Sequence, residues 1–380
     1  MTDLTVGVLG YGFMGKAHSN ALARLPMFFP DAPAVERHTL VGRDEEALSE
    51  AADRLGFSNV ETDWREVVDA VDVFYNLGPN HVHAEPSIAA LEAGTNVFCE
   101  KPLAPTLERA REMHEAAESS GGVAGCAFNY RFVPAIQYAK RLIDDGELGE
   151  IRHVRGRYLQ NWLVDPDAPW SWRNSAELAG SGALGDLGAH TIDLARFLVG
   201  DAAGDITRVS GDLRTFVDER ETENGETRAV TVDDAYSAQA AFENGAMGTF
   251  EASRFATGHA NDHTIEIHGS EGSLKFALER LNELEYKSSD SRGYETILVT
   301  DPEDPYIDHW WPPGHVIGWE HTFVHENYEF LSAVAANEDG EGGDGEESYP
   351  SFADAYRVQE VLDAIEQSDE SGEWVSVSTI

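Results

Sequence analysis

An acid and a histidine stand four residues apart in the segment GALGDLGAHTIDLARF. Asp186 and His190 lie on a predicted helix, in which positions i and i+4 project from the same face one turn apart. Histidine has an ordinary pKa of about 6.5, so it can accept a proton near neutral pH. The pattern predicts a site for general base catalysis, with His190 as the base and Asp186 orienting the imidazole or accepting a hydrogen bond from a substrate hydroxyl.

A glycine-rich turn, GYGFMG at residues 10–15, directly follows an apolar run and precedes a helical pattern. In this position GxGxxG allows a tight turn, close approach of the backbone to a pyrophosphate, and close packing of the helix. The helix N-terminus adds N–H donors and the positive end of a dipole. The motif predicts a site for NAD or NADP and says nothing of a substrate.

The second predicted strand ends in Gly42-Arg43-Asp44, where an acidic residue usually binds the adenosine ribose of NAD. Arg43 can pair with the 2′-phosphate of NADP or lie along the adenine. Asp44 can reach the ribose or cap the helix that follows. The choice between NAD and NADP stays open at this point.

These residues require elements that place them. Short apolar runs alternate with helical stretches up to about residue 127, which predicts a doubly wound parallel sheet, a Rossmann domain at 1–128. Ligands of such sheets bind beyond the carboxyl ends of the strands. From residue 129 to 380, period-two segments interspersed with helices predict an open, mostly antiparallel sheet for a C-terminal substrate and oligomerisation domain. The fold class is α/β plus α+β.

Composition narrows the class of protein. Sixty-nine acidic against 27 basic residues give a net charge of −42, which argues against binding to nucleic acid and suggests a halophilic source. No apolar run is long enough to span a membrane and no signal peptide is evident, so we expect a cytoplasmic protein. Cys99 and Cys126 lie in apolar runs and are expected to be buried and reduced. The spacing of the histidines predicts no metal site.

Glu100-Lys101-Pro102 stands at the end of the predicted strand TNVFCE. Together with GYGFMG and the segment GSGALGDLGAH at residues 180–190, it resembles the glucose-fructose oxidoreductase and inositol dehydrogenase (Gfo/Idh/MocA) family over nearly the whole chain. The resemblance implies the two domains described above and a homo-oligomer, a dimer or tetramer, formed through the outer face of the C-terminal sheet. The segment from Tyr158 to His190 is similar to that of levoglucosan-type dehydrogenases of cyclic sugars.

The resemblance also implies site residues. The cofactor contacts would be Gly10, Gly12, Phe13, Met14, Gly15, Arg43, Asn80, His83, Glu100, Lys101, Trp172 and Arg173. The substrate contacts would be Lys101, Tyr158, Gln160, Asp186 and His190, of which Lys101, Asp186 and His190 would be catalytic. His83 can equally be an ordinary helix residue, and Tyr158 and Gln160 ordinary positions of a sheet.

The function implied is oxidation of a secondary alcohol of a sugar or cyclic polyol to a ketone, or the reverse, by hydride transfer with NAD or NADP. Lys101 would donate a hydrogen bond to the substrate oxygen. One alternative is an enzyme of the same fold that retains its cofactor, either coupling two sugars or acting as a glycosidase. The other is a non-catalytic NAD(P)-binding regulator, against which the joint presence of Lys101, Asp186 and His190 argues.

Overall fold

The computed structural model describes residues 3–338 and 348–377. Contacts divide the chain into two compact units. The first comprises Met1–Asn129 and Gly318–Tyr356, and the second comprises Tyr130–Ile317 and Arg357–Ile380. The domain division predicted from sequence, 1–128 and 129–380, stays a prediction. The contacts differ from it by grouping residues 318–356 with the N-terminal part of the chain.

The first unit holds a six-stranded parallel sheet. Its strands are β1 (Asp3–Leu9), β2 (Ala34–Val41), β3 (Asn59–Glu61), β4 (Val73–Asn76), β5 (Asn96–Cys99) and β6 (Ala124–Cys126), and the helices between them are α1 (Phe13–Phe28), α2 (Glu45–Leu55), α3 (Ala84–Glu92) and α4 (Leu107–Ser119). The spatial order β3-β2-β1-β4-β5-β6 is that of a Rossmann sheet, which confirms the predicted fold. The short edge strand β3 was not predicted, because none of its residues is buried.

The second unit holds a nine-stranded sheet in the order β16-β15-β14-β13-β7-β12-β11-β8-β17, and a separate pair, β9 with β10. The strands are β7 (Ile151–Leu159), β8 (Ile206–Arg214), β9 (Glu219–Glu221), β10 (Thr227–Ala229), β11 (Ala235–Phe242), β12 (Met247–Ser253), β13 (Asp262–Gly269), β14 (Ser273–Ala277), β15 (Glu283–Lys287), β16 (Glu295–Leu298) and β17 (Val375–Ser376); the helices are α5 (Pro134–Asp144), α6 (Ala176–Ala179) and α7 (Ala189–Ala203). Among the described strands of this sheet, only β7 and β12 pair in parallel. The mostly antiparallel sheet is confirmed.

Two long helices precede the last strand, β17: α8 (Trp319–Glu338) and α9 (Phe352–Ser371). Helix α8 packs against α1 in the first unit. Helix α9 begins in the first unit and continues into the second.

Cys99 and Cys126 are both buried, and no disulfide joins them. Within the described residues no helix is long and apolar enough to cross a membrane, and no group of three metal-ligating side chains comes together.

Candidate functional site

The turn between β1 and α1 has a backbone suited to a pyrophosphate. Gly10 has a φ of 105°, a left-handed conformation that favours glycine, and its N–H donates to the Val41 carbonyl at 3.0 Å. A Cβ on Gly15 would collide with the Gly10 carbonyl, whereas the space around Gly12 is open. Among the residues that the structure describes, no side chain caps α1, and its first turn holds no acidic residue, so an anion can bind there. The turn fits the predicted dinucleotide.

The residues beside this turn differ in their surroundings. Phe13 is 66% exposed and stacks on Trp319 with ring centroids 5.5 Å apart, while Met14 is half-buried. Arg43 is exposed at the end of β2. The Asp44 carboxylate accepts the Ala47 N–H at 3.0 Å and caps α2, so the capping role weighed for Asp44 is the one observed.

A buried hydrogen-bonded network lies behind the Glu-Lys-Pro motif. Asn327 on α8 accepts a hydrogen bond from Tyr75 at 2.8 Å, and its amide nitrogen lies 3.1 Å from His18 Nδ1. Because the amide can only donate there, His18 carries its proton on Nε2, which lies 3.2 Å from the Glu100 carboxylate. Glu100 in turn accepts the Lys101 N–H at 3.1 Å. The network fixes the backbone at Lys101, whose side chain is half-buried.

Asn80 and His83 lie in the turn that follows β4. Asn80 begins a 3₁₀ turn and is 9% exposed. His83 is fully buried, with Nδ1 3.0 Å from the Pro102 carbonyl oxygen and Nε2 3.0 Å from that of Gly78. Burial lowers the pKa of His83. His83 therefore ties the turn after β4 to the turn after β5, and its direct contact with a cofactor stays a prediction.

Asp186 lies in a π-helical turn, Leu184–Gly188, which leads into α7. The sequence predicts an ordinary helix here, and this detail was wrong. The turn is capped from a distant part of the chain, because the Asp233 carboxylate accepts the N–H groups of Gly182 at 2.6 Å and Leu184 at 2.9 Å. Such π turns recur at functional sites. Asp186 is half-buried and His190, at the start of α7, is 7% exposed.

Aromatic rings surround His190 in the second unit. The Tyr130 ring lies 4.7 Å and the Tyr158 ring 6.1 Å from the imidazole, and Tyr158 stacks on His263 at 4.5 Å. Burial raises the pKa of Tyr158 well above its usual value, with smaller contributions from Tyr130 and from Asp186. Burial alone lowers the pKa of His263 to about 3, so this ring stays neutral. The predicted base therefore lies in an environment with little water.

A directed chain of hydrogen bonds passes through Tyr158, one of these aromatic residues. The Tyr158 hydroxyl donates to Asn261 Oδ1 at 2.8 Å, and Gln160 Nε2 donates to the same oxygen at 2.7 Å. Since Tyr158 has one proton, Tyr130 donates in their 2.8 Å contact. The side-chain carbonyl of Gln160 can therefore accept a hydrogen bond from a polar ligand, and the amide nitrogen of Asn261 can donate to one.

Trp172 and Arg173 form a 3₁₀ turn with Asn174. The Arg173 guanidinium lies 4.3 Å above the Trp172 ring, and both residues are half-buried. The Arg173 carbonyl accepts a hydrogen bond from Arg254 at 3.3 Å.

The structure thus groups Tyr158, Gln160, Asp186 and His190 in the second unit, and the glycine turn, Arg43, Asn80, His83, Glu100 and Lys101 in the first. Sequence reasoning missed several residues that hold these groups in place, namely His18, Tyr130, Asp233, Asn261 and His263. Tyr130 and His263 stand in period-two or post-strand positions that signal only burial. Asp233 and Asn261 carry no local signal, because their partners are distant in sequence.

Comparison with known proteins gives a consistent result. Residues 4–128 match the oxidoreductase family, NAD-binding Rossmann fold (Gfo/Idh/MocA), and residues 136–275 match the Gfo/Idh/MocA C-terminal domain. Levoglucosan dehydrogenase from Pseudarthrobacter phenanthrenivorans is 43% identical over 401 aligned residues that cover all of both chains. Glucose-6-phosphate 3-dehydrogenase from Bacillus subtilis is 28% identical, with 99% of each chain covered. A structure of levoglucosan dehydrogenase in complex with NADH and L-sorbose superposes with a TM-score of 0.94, at 44% identity and full coverage of both chains.

Proposed function

Since this chain belongs to the Gfo/Idh/MocA family of oxidoreductases, we propose that it oxidises a ring hydroxyl of a cyclic sugar of the levoglucosan type. It is an NAD-dependent dehydrogenase of CH–OH groups, with a sugar or polyol as its substrate. The observation that carries the finer proposal is the full-length likeness to levoglucosan dehydrogenase.

NAD supplies the hydride acceptor for this chemistry. The glycine turn and the N-terminus of α1 would bind its pyrophosphate, and the exposed end of β2 with Arg43 would lie by the adenosine. The remaining residues named for the cofactor, Phe13, Met14, Asn80, His83, Glu100, Trp172 and Arg173, are proposed as contacts or as supports for them.

His190 would remove the hydroxyl proton of the substrate. Asp186 would orient the imidazole or accept a hydrogen bond from a substrate hydroxyl. Lys101 would donate to the substrate oxygen and stabilise the negative charge that grows as the proton leaves. Gln160 and the Asn261 amide would bind further hydroxyl or ether oxygens, because one offers an acceptor and the other donors.

The direct test is a panel of anhydro sugars, hexoses and inositols, assayed with NAD⁺ and with NADP⁺ in molar KCl by the absorbance of reduced nicotinamide. We expect levoglucosan-type sugars with NAD⁺ to give the highest kcat/KM. Turnover without added cofactor would instead show the cofactor-retaining alternative. No turnover of any cyclic sugar would refute the proposed substrate class.

A second experiment tests the catalytic residues. Loss of a general base lowers rates by about 10²- to 10⁴-fold, so His190→Ala and Lys101→Ala should each lower kcat by that order while NAD⁺ still binds. His153→Ala, on an exposed position of β7, is the matched control and should keep wild-type turnover. If His190→Ala and Lys101→Ala behave like the control, the assignment is wrong.

We also propose a homo-oligomer, supported by the outer face of the nine-stranded sheet. Exposed and half-buried residues line a hollow of about 480 Å³ there, in which Arg155, Arg157, Lys275 and Arg280 lie among Glu251, Glu266, Glu283 and Glu285. Both charge signs on one face suit a second copy of the same face. Light scattering should give at least a dimer mass, and Arg155→Glu should reduce it. A monomer at all concentrations would contradict this proposal.

A cytoplasmic location is proposed as well, supported by two buried cysteines that no disulfide joins.

A further inference from the structure

Asp233 connects a loop before β11 to the turn that carries Asp186. Both of its carboxylate oxygens accept backbone N–H groups of that turn, from Gly182 at 2.6 Å and Leu184 at 2.9 Å. Its own carbonyl accepts the Ala183 N–H at 3.1 Å. Gly182 has no room for a side chain there, since a Cβ would collide with the Asp233 carbonyl. Three consecutive residues before Asp186 are therefore held by one buried residue.

Arg254 continues the connection to a second loop. It is 1% exposed, and its guanidinium donates to the Asp233 carbonyl at 2.7 Å and to the Arg173 carbonyl at 3.3 Å. The neighbouring carboxylate of Asp234 lies 3.7 Å away and supplies the opposite charge. The planar guanidinium of Arg254 thus donates both to Asp233, which holds the π turn, and to the Trp172–Asn174 turn.

We propose that Asp233 and Arg254 are positioning residues of the dehydrogenase site, which together fix the π turn bearing Asp186 relative to the turn bearing Trp172 and Arg173. The inference rests on the proposed function, because it assigns these two turns to one site. Asp233 and Arg254 act only through the residues they hold and touch no reacting atom.

The test compares Asp233→Asn with Asp72→Asn. Asp72 is the matched control because its carboxylate also accepts a backbone N–H, that of Thr5 at 2.7 Å, and because it belongs to the first unit, outside the network of Asp233 and Arg254. An asparagine at 233 would turn an N–H₂ group toward one of the two N–H donors that the carboxylate accepts. Misplacement of a site by about 1 Å can cost about 100-fold, so we expect Asp233→Asn to lower kcat by about 10- to 100-fold.

Each kcat is measured per NADH-binding site, so that a loss of folded protein does not count as a loss of rate. We expect the pH profile of kcat/KM to shift in Asp233→Asn and not in Asp72→Asn, and the Kd for NADH to change less than about twofold in both. Equal kcat values or equal pH profiles in the two variants would overturn the inference.

If Asp233→Asn does not fold, Arg254→Lys is the variant that tests the inference. Lysine keeps the charge and loses the planar pair of donors, so kcat per NADH-binding site should again fall, and wild-type turnover would overturn the inference. The proposed function is tested separately, and full turnover in His190→Ala would refute it. If His190→Ala is inactive and Asp233→Asn turns over at the wild-type rate, only the positioning role is refuted.

Discussion

At the scale of single residues, the Tyr158 hydroxyl has a precise directional role. It receives a hydrogen bond from Tyr130 and gives one to Asn261, which also holds Gln160. The ring itself stacks on the neutral His263. The hydroxyl and the ring are therefore separable by a single substitution.

Tyr158→Phe should keep the stack and lose the hydroxyl. A hydrogen bond contributes about 0.5–1.5 kcal/mol, so KM for the sugar should rise by about 3- to 10-fold as Asn261 and Gln160 lose their fixed orientation. Tyr286→Phe on β15 is the control. It removes a hydroxyl that donates to the Glu147 carboxylate at 3.2 Å and should leave KM unchanged. Steady-state kinetics decide, and an unchanged KM in Tyr158→Phe would exclude a role for this hydroxyl in substrate binding.

Arg43 gives a second prediction at this scale. Its side chain is exposed at the end of β2, and the neighbouring Asp44 caps α2, so Arg43 is the side chain placed to pair with a 2′-phosphate. Arg43→Ala should weaken NADP⁺ binding by about 1.5–3 kcal/mol and hardly change that of NAD⁺. Titration of protein fluorescence with each cofactor measures both Kd values. An equal loss for both would place Arg43 on the adenine instead.

At the scale of elements, α9 carries a carboxyl group with an unusual proton affinity. Burial, and then the nearby Asp233 carboxylate, raise the pKa of Glu366 to about 7 from its ordinary 4.5. Below pH 4.5 the group is protonated in the folded and unfolded chain alike. As the pH rises from about 4.5 toward 7, the unfolded chain loses this proton first. The free energy of unfolding therefore falls across this range, because the folded chain still holds the proton.

Glu366→Gln should therefore raise Tm at pH 8 and leave it unchanged near pH 4.5. The gain in the free energy of unfolding should be about 2–3 kcal/mol at the higher pH. Glu223→Gln, at an exposed position outside this helix, is the control. Thermal unfolding followed by circular dichroism at several pH values, in molar KCl, would contradict the prediction if the two variants showed the same pH dependence.

Periodicity in the sequence was sufficient to predict most of the helices and strands, and the GxGxxG motif was sufficient to predict the glycine turn. The buried runs of β4, β5 and β6 and the alternation in β7 and β12 are local signals. The π turn at Leu184–Gly188 was not predictable in this way, because the carboxylate that caps it comes from Asp233, about fifty residues later. The same holds for Asn261, whose partners Tyr158 and Gln160 lie on a different strand.

The placement of α8 was missed for a related reason. The sequence predicts a helix near residues 323–335 but does not say which surface this helix covers. Its contact with α1 includes the pair His18 and Asn327, which are 309 residues apart. Only the folded chain shows that this helix supports the network behind Lys101.

At the scale of the whole molecule, charge dominates. A net charge of −42 implies strong self-repulsion in dilute buffer, whereas the Debye length falls to about 3 Å at 1 M salt. Tm and activity should both rise steeply between dilute and molar KCl. Sucrose, which stabilises without screening charge, is the control. A Tm that is the same in both salt conditions would remove the case for a halophilic protein.

The division of the chain between its units has a consequence for synthesis on the ribosome. The chain passes from one unit to the other at residues 129/130, 317/318 and 356/357. The Rossmann strands emerge early, but α8, which supplies Asn327 to the buried His18, emerges after the whole first segment of the other unit. A nascent chain stalled after residue 317 should therefore hold its first 129 residues in a protease-sensitive state, and one extended past residue 356 should protect them. Completion of the cofactor-binding unit is thus a late event in translation, although its sequence is the first to be made.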